Sequence, residues 1–170
     1  TVIGRVGGKV IMTFHFVNSD FMFGLLLENK TAAEAADKVQ KLKLRLGEQN
    51  FRFGDIIPLL LTDNGGEFSN VFAFEDDADG IAETKLFFCE PRSPQEKPQI
   101  EKNHTLMRDI VPSGTSFDSF TQETVDIIFS HVNGVKRKQF NGKSAYDMFT
   151  FSYSAELAAA FGISKIPAEK

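Results

Sequence analysis

Two periodicities alternate along this chain and divide it into strands and helices. Lys9 to Val17 and Phe21 to Leu27 are crowded with β-branched, aromatic and aliphatic residues and are joined by Asn18-Ser19-Asp20, the signature of a hairpin. Thr1-Val2-Ile3-Gly4 ahead of them reads as the end of a further strand, with Gly7-Gly8 as its turn, so three antiparallel strands are predicted to open the chain. The period then changes. Thr31 with Glu34 forms a capping box, and Ala35, Val39, Leu42 and Leu46 recur at helical spacing until Gly47, which is predicted to cap the end. This helix should cover one sheet face. After Pro58, the run Leu59 to Leu61 does not alternate, which predicts a central strand covered on both faces.

Thr84 to Phe88 supplies another short strand, and Pro91 to Pro98 is a proline-rich loop. Gln99 to Asp109 contains no breaker and reads as a helix whose Ile100, His104, Met107 and Val111 form one buried stripe. Glu101 lies about 100° from Ile100 on the helical wheel and is expected to border that stripe rather than face bulk water. Downstream, Thr121 can cap a helix with Val125, Ile128, Phe129 and Val132 facing inward, ended by Gly134. Ser144 and Asp147 make a capping box for Ala145 to Phe149, and Ala155 to Phe161 is a last amphipathic turn or two.

Composition narrows the class. At 170 residues and 42% hydrophobic, the chain suits one domain with its own core. A formal charge of -4 argues against a uniformly basic nucleic-acid binder, yet leaves room for a local basic patch beside an acidic site. Cys89 stands alone within a strand-like segment, which fits a reduced intracellular protein. No apolar run approaches the roughly 20 residues of a membrane span, and no signal peptide is recognisable. A start inside a strand, without Met, reads as a piece of a longer protein.

The chemistry centres on Leu59-Leu60-Leu61-Thr62-Asp63-Asn64-Gly65-Gly66-Glu67-Phe68. Asp63 stands where the aliphatic run ends, at the carboxyl edge of a strand, the edge at which open α/β sheets hold ligands and metals. A polar turn built from Asp, Asn and positive-φ glycines explains the same residues. Glu75-Asp76-Asp77-Ala78-Asp79-Gly80 invites comparison with a calcium-binding EF-hand loop, but its twelfth position is Leu86 where a bidentate Glu is required, so it reads as a solvated acidic loop.

Several separated motifs, in order, resemble the catalytic core of bacterial insertion-sequence transposases of the retroviral-integrase type. They are Thr1-Val2-Ile3-Gly4 with Gly7-Gly8-Lys9; Leu61 to Phe68; Ile100-Glu101-Lys102-Asn103-His104; Pro112 to Asp118; and Asn141 to Phe149. The resemblance runs to about Phe151, leaving 152–170 as a helical tail. It implies a ribonuclease H-like α/β fold, a five-stranded mixed sheet flanked by helices, and an Asp-Asp-Glu triad holding two Mg²⁺ or Mn²⁺ ions. The second Asp falls on Asp63 and the Glu on Glu101; the first would precede Thr1, and Asp20, in a hairpin turn, does not replace it. Two such ions about 4 Å apart clamp both oxygens of an in-line phosphodiester displacement, so no Ser, Cys or His nucleophile is needed. Relatives tend to carry a glycine-rich stretch before the Glu, where this chain reads Gln95-Glu96-Lys97-Pro98.

The implied activity is cleavage and strand transfer at transposon ends, with double-stranded DNA as partner, dimers by analogy, a bacterial cytoplasmic location and no membrane. Asn64, Lys97, Lys102 and Arg108 are candidates for DNA contact around the two carboxylates, and Lys136-Arg137-Lys138 is the densest basic run. Glu67 is a candidate for tuning the metal site, and His104 for a supporting hydrogen bond. A catalytically inactive relative that keeps the fold and binds DNA or itself, and an unrelated α/β binding module, are the alternatives.

Overall fold

The computed structural model describes residues 1–90 and 98–167. These divide into two units, one formed by Thr1–Leu26 with the described residues from 98 onward, the other starting at Leu27 and running to 90.

The first unit is built on strands β1 (Val2–Ile3), β2 (Val10–Phe16) and β3 (Phe21–Leu27), in that spatial order. β1 pairs antiparallel with β2 in the register Val2 to Ile11, and the four-residue connection from β2 to β3 fits only an antiparallel neighbour. Strand parity sends side chains to opposite faces. Phe14, Phe16, Phe21 and Phe23 share one face and meet Phe149 of α6 (Ala145–Ser152) and Phe161 just after α7 (Ala155–Ala160). Phe21 stacks on Phe149 at 3.8 Å and Phe23 on Phe161 at 4.3 Å. Residues beyond Phe151 thus belong to this core, with Leu157, Ala158, Phe161 and Ile163 buried.

The opposite face receives α4 (Pro98–Ile110) and α5 (Gln122–Gly134), through Thr13 against His104 and Gly24 against Phe129. A Cβ on Gly24 would stand 2.6 Å from the Phe129 ring, so only glycine admits α5 this close. The α5 helix also seals the outer edge of β3. Gln122 accepts from the Leu26 N–H and donates to the Gly24 carbonyl, while Asn133 accepts from the Met22 N–H and donates to its carbonyl. Side-chain amides thereby take the place of a further strand at an edge that would otherwise invite pairing.

The second unit holds α1 (Ala32–Glu48), α2 (Phe53–Ile56), α3 (Val71–Glu75) and the strands β4 (Leu59–Thr62) and β5 (Lys85–Phe88). Thr31 caps α1 and Ala35, Val39, Leu42 and Leu46 are buried, as the spacing predicts. Glu34, however, turns its carboxylate to the N–H groups of Glu28 and Asn29. Nor does Gly47 end the helix: α1 continues to Glu48, and Asn50, at φ 62, supplies the left-handed residue.

β4 and β5 pair in parallel, Leu59 opposite Lys85 through Thr62 opposite Phe88. Among the described residues of this unit, cover on one face replaces the expected cover on both. Leu59, Leu61 and Phe87 lie on one face and are exposed, at 58%, 45% and 50%, whereas Thr62 and Leu86 on the other are buried. An unbroken aliphatic run states only that both faces are apolar, not that each is covered. The architecture is therefore α/β, with a three-stranded and a two-stranded sheet among the described residues.

Candidate active site

In the second unit, the parallel ladder runs past the end of β4, because the Cys89 N–H donates to the Thr62 carbonyl at 2.7 Å. Asp63 follows, exposed, and its Oδ1 accepts the Gly65 N–H at 2.9 Å, closing a turn around its own side chain. Asn64 donates from Nδ2 to the Cys89 carbonyl at 3.3 Å, tying the ends of β4 and β5 together. The polar-turn interpretation of these residues is thus correct as far as it goes.

The glycines serve a different purpose from the one predicted. Neither Gly65 nor Gly66 has positive φ; Gly65 sits at φ -63, ψ 140, open to any residue. What Gly65 provides is space. A Cβ there would lie 2.5 Å from Glu67 Oε2 and 2.9 Å from Asp63 Oδ1, so two carboxylates pass on either side of a missing methyl group. Glu67 is held there by a single 3-10 turn, Gly66–Phe68, whose Phe68 is buried edge-on against Phe74 at 5.8 Å. Glu67 itself is 2% exposed, with Lys30 Nζ 3.6 Å from its Oε1. The local sequence gives little warning of this burial, since a loop carboxylate next to two glycines ordinarily faces water.

Glu101 stands in the first unit, exposed, in the first turn of α4, where a carboxylate complements the positive end of the helix. Its exposure corrects the expectation that it only borders the buried stripe. Within that stripe Met107 and Val111 are buried and Ile100 partly so, while His104 is hydrogen-bonded to Thr13 Oγ1 at 3.0 Å. Lys102 is exposed. Arg108 folds back, its guanidinium over the Phe117 ring at 6.0 Å and donating to the Pro112 carbonyl. Lys97 and the neighbouring Gln95 and Glu96 lie outside the described residues.

The basic run Lys136-Arg137-Lys138 divides. Lys136 and Lys138 are exposed, on a loop closed by the Arg137 N–H to the Lys143 carbonyl and the Gly142 N–H to the Arg137 carbonyl. Arg137 is turned inward and 5% exposed, which corrects its assignment to DNA contact. Its Nη1 reaches Asp20 Oδ2 at 3.3 Å and Asn103 Oδ1 at 2.7 Å, and Nη2 the Val132 carbonyl at 3.4 Å. Asn103 donates to the Asp20 carbonyl at 2.7 Å; Gln139 donates to Asp20 Oδ2, and His15 Nε2 lies 3.2 Å from Asp20 Oδ1. Burial pulls the His15 pKa below its ordinary value, against the opposing pull of Asp20. The same cause lowers Arg137, again opposed by Asp20. The sequence carried one signal of this network. Asn103 falls three residues after Ile100 and four before Met107, so a polar side chain occupies a core position of α4 and must find partners there.

Comparison with known proteins bears on what these residues do. No family model matches the chain. It is 32% identical over 149 residues to a protein of Spiroplasma virus SpV1-R8A2 B named "Putative integrase ORF3", covering 88% of this chain and 44% of that one. It is 27% identical over 139 residues to the transposase of insertion sequence IS4351 of Bacteroides fragilis, covering 82% and 39% respectively. Over 60 residues it is 35% identical to the transposase of IS1086 of Cupriavidus metallidurans, covering 35% and 18%. The chain belongs to the transposase and integrase family of insertion sequences. It spans less than half the length of the curated relatives it matches. Among the described residues of this family member, no helix is long and apolar enough to cross a membrane.

The donor chemistry around Asp63 suits a hard divalent cation. The available atoms are carboxylate oxygens, and Asp63 engages one of its two in the turn. Among the described residues no group of three or more His, Cys, Asp or Glu side chains could hold a metal. Mg²⁺ does not require one, since it keeps several waters and takes one or two carboxylates together with substrate phosphates.

Proposed function

We propose that this chain is part of the DNA-cleaving and strand-joining domain of a transposase, with Asp63 and Glu101 as its divalent-metal ligands. The observation that carries the proposal is the position of Asp63. It projects, exposed, from the carboxyl end of a parallel strand, in a member of a family whose relatives are named transposases and integrases. The proposal includes a ribonuclease H-like five-stranded sheet and double-stranded DNA as substrate. A divalent cation bound by these carboxylates would supply Lewis-acid activation of a phosphodiester and of the attacking hydroxyl.

The chain's own residues then have distinct tasks. Asp63 presents a carboxylate oxygen, oriented by the Gly65 N–H on its Oδ1. Asn64 keeps the ends of β4 and β5 in register beneath it. Glu67, paired with Lys30, packs a second carboxylate beside Gly65 and so confines the Asp63 side chain. Glu101 contributes a carboxylate from the rigid first turn of α4. Lys102, Lys136 and Lys138, all exposed, offset phosphate charge on DNA.

Titration with Mn²⁺ or Mg²⁺ at millimolar concentration tests the proposal. Saturable thermal stabilisation should be seen with the wild-type chain and lost in Asp63→Ala and Glu101→Gln. No saturable stabilisation, or one unchanged in both variants, refutes the metal site and favours an inactive relative that binds DNA without cutting it.

A further inference from the structure

We propose that Asp20, Asn103 and Arg137 are positioning residues for Glu101, gripping α4 from its buried side so that the carboxylate is held on the exposed side. The inference rests on the role of Glu101 proposed above. Asn103 follows Glu101 by two residues, so the two side chains leave the helix about 200° apart. The buried one is pinned twice, by donating to the Asp20 carbonyl at 2.7 Å and accepting from Arg137 Nη1 at 2.7 Å. His104, the next residue, bonds Thr13 on β2. Rotation and sliding of α4 are thereby both referred to the β2–β3 hairpin.

A cost at this cluster argues that geometry, rather than stability, is what it supplies. Arg137 Nε is buried with no hydrogen-bond partner among the described residues, a loss that an apolar side chain would avoid. Local costs of this kind persist where the surroundings over-determine them, characteristically beside functional groups. Arg137 also belongs to the closed loop that carries Lys136 and Lys138, so the same guanidinium references that basic loop to α4.

The test measures Mn²⁺ binding to the chain by the paramagnetic resonance of free Mn²⁺, alongside thermal unfolding. Asn103→Ala removes the link to α4 and leaves the Asp20–Arg137 pair in place. It should weaken Mn²⁺ binding about 10–100-fold, the effect expected when a group that orients a metal ligand is lost. Val125→Ala, in the core of α5 and outside the cluster, should lower the melting temperature comparably and leave Mn²⁺ affinity unchanged. Arg137→Lys keeps a cation able to donate to both Asp20 and Asn103, the two bonds that Nη1 makes alone. It should recover both stability and Mn²⁺ affinity relative to Arg137→Met. If affinity follows melting temperature across all four variants, or is unaltered in Asn103→Ala, the positioning role is overturned while the metal site stands. If the wild type binds no Mn²⁺, or binds it as well in Glu101→Gln, the proposed function fails and takes this inference with it.

Discussion

The energetics of the buried ion pair give the sharpest prediction. Asp20 and Arg137 have side chains only 3% and 4% exposed, with Nη1 3.3 Å from Oδ2. Removing one partner leaves the other charge stranded in the interior, at a cost of about 3–5 kcal/mol. Asp20→Asn isolates that effect, because Asn is nearly the same shape and tolerates the left-handed backbone at this position. Arg137→Met removes the opposite charge and keeps much of the volume. Each single variant should therefore lose about 3–5 kcal/mol, equivalent to roughly 6–20 °C in melting temperature for a chain of this size. The double variant Asp20→Asn/Arg137→Met strands no charge and should be less damaged than the two singles added together, with a coupling of up to about 3 kcal/mol. Urea unfolding followed by circular dichroism measures all four proteins. Singles that cost under about 1 kcal/mol, or a double variant that costs their sum, would show that the pair is not the desolvated, mutually dependent unit described here.

Three further outcomes follow from the same geometry. Gly65→Ala is compatible with its backbone but drives a methyl group against both carboxylates, so Mn²⁺ stabilisation should disappear with a stability loss of only about 1–3 kcal/mol; retained Mn²⁺ stabilisation would refute the tight passage. His15 has its pKa lowered from 6.5 by burial, so the folded state resists protonation that the unfolded chain accepts. Stability should be full above pH 6.5 and fall as the pH drops below it, and His15→Gln should flatten the profile of melting temperature between about pH 5 and 6.5. Lys136→Gln with Lys138→Gln should weaken binding to duplex DNA uniformly across sequences and reduce the salt slope by about 2, measured by fluorescence anisotropy; an unchanged slope would remove that loop from the DNA surface.

Much of the secondary structure was legible because it depends on local periodicity and end signals. Thr121 and Ser144 cap α5 and α6, and the inward residues of α1 and α5 are the buried ones. The family resemblance was legible too, because short motifs in a fixed order survive without knowledge of three-dimensional contacts. Signals at element ends were weaker guides. Gly47 looked like a helix stop, yet Asn50 provided it, since the competing choice turns on where the chain goes next. The short helices α2 and α3 gave no usable pattern, having at most five residues each.

The amino-acid sequence by itself determined where the longer strands and helices form, which residues carry charge, and that Asp63 follows a strand while Glu101 lies near the start of a helix. Tertiary structure decided which charges meet solvent. Arg137 and Lys138 are neighbours in one basic run, but a partner 117 positions away draws Arg137 inside and leaves Lys138 in water. Glu67 and Asp63 both read as turn residues, but the packing of Phe68 on Phe74 buries one and exposes the other. Burial and pairing depend on contacts between distant residues, and no local pattern encodes them.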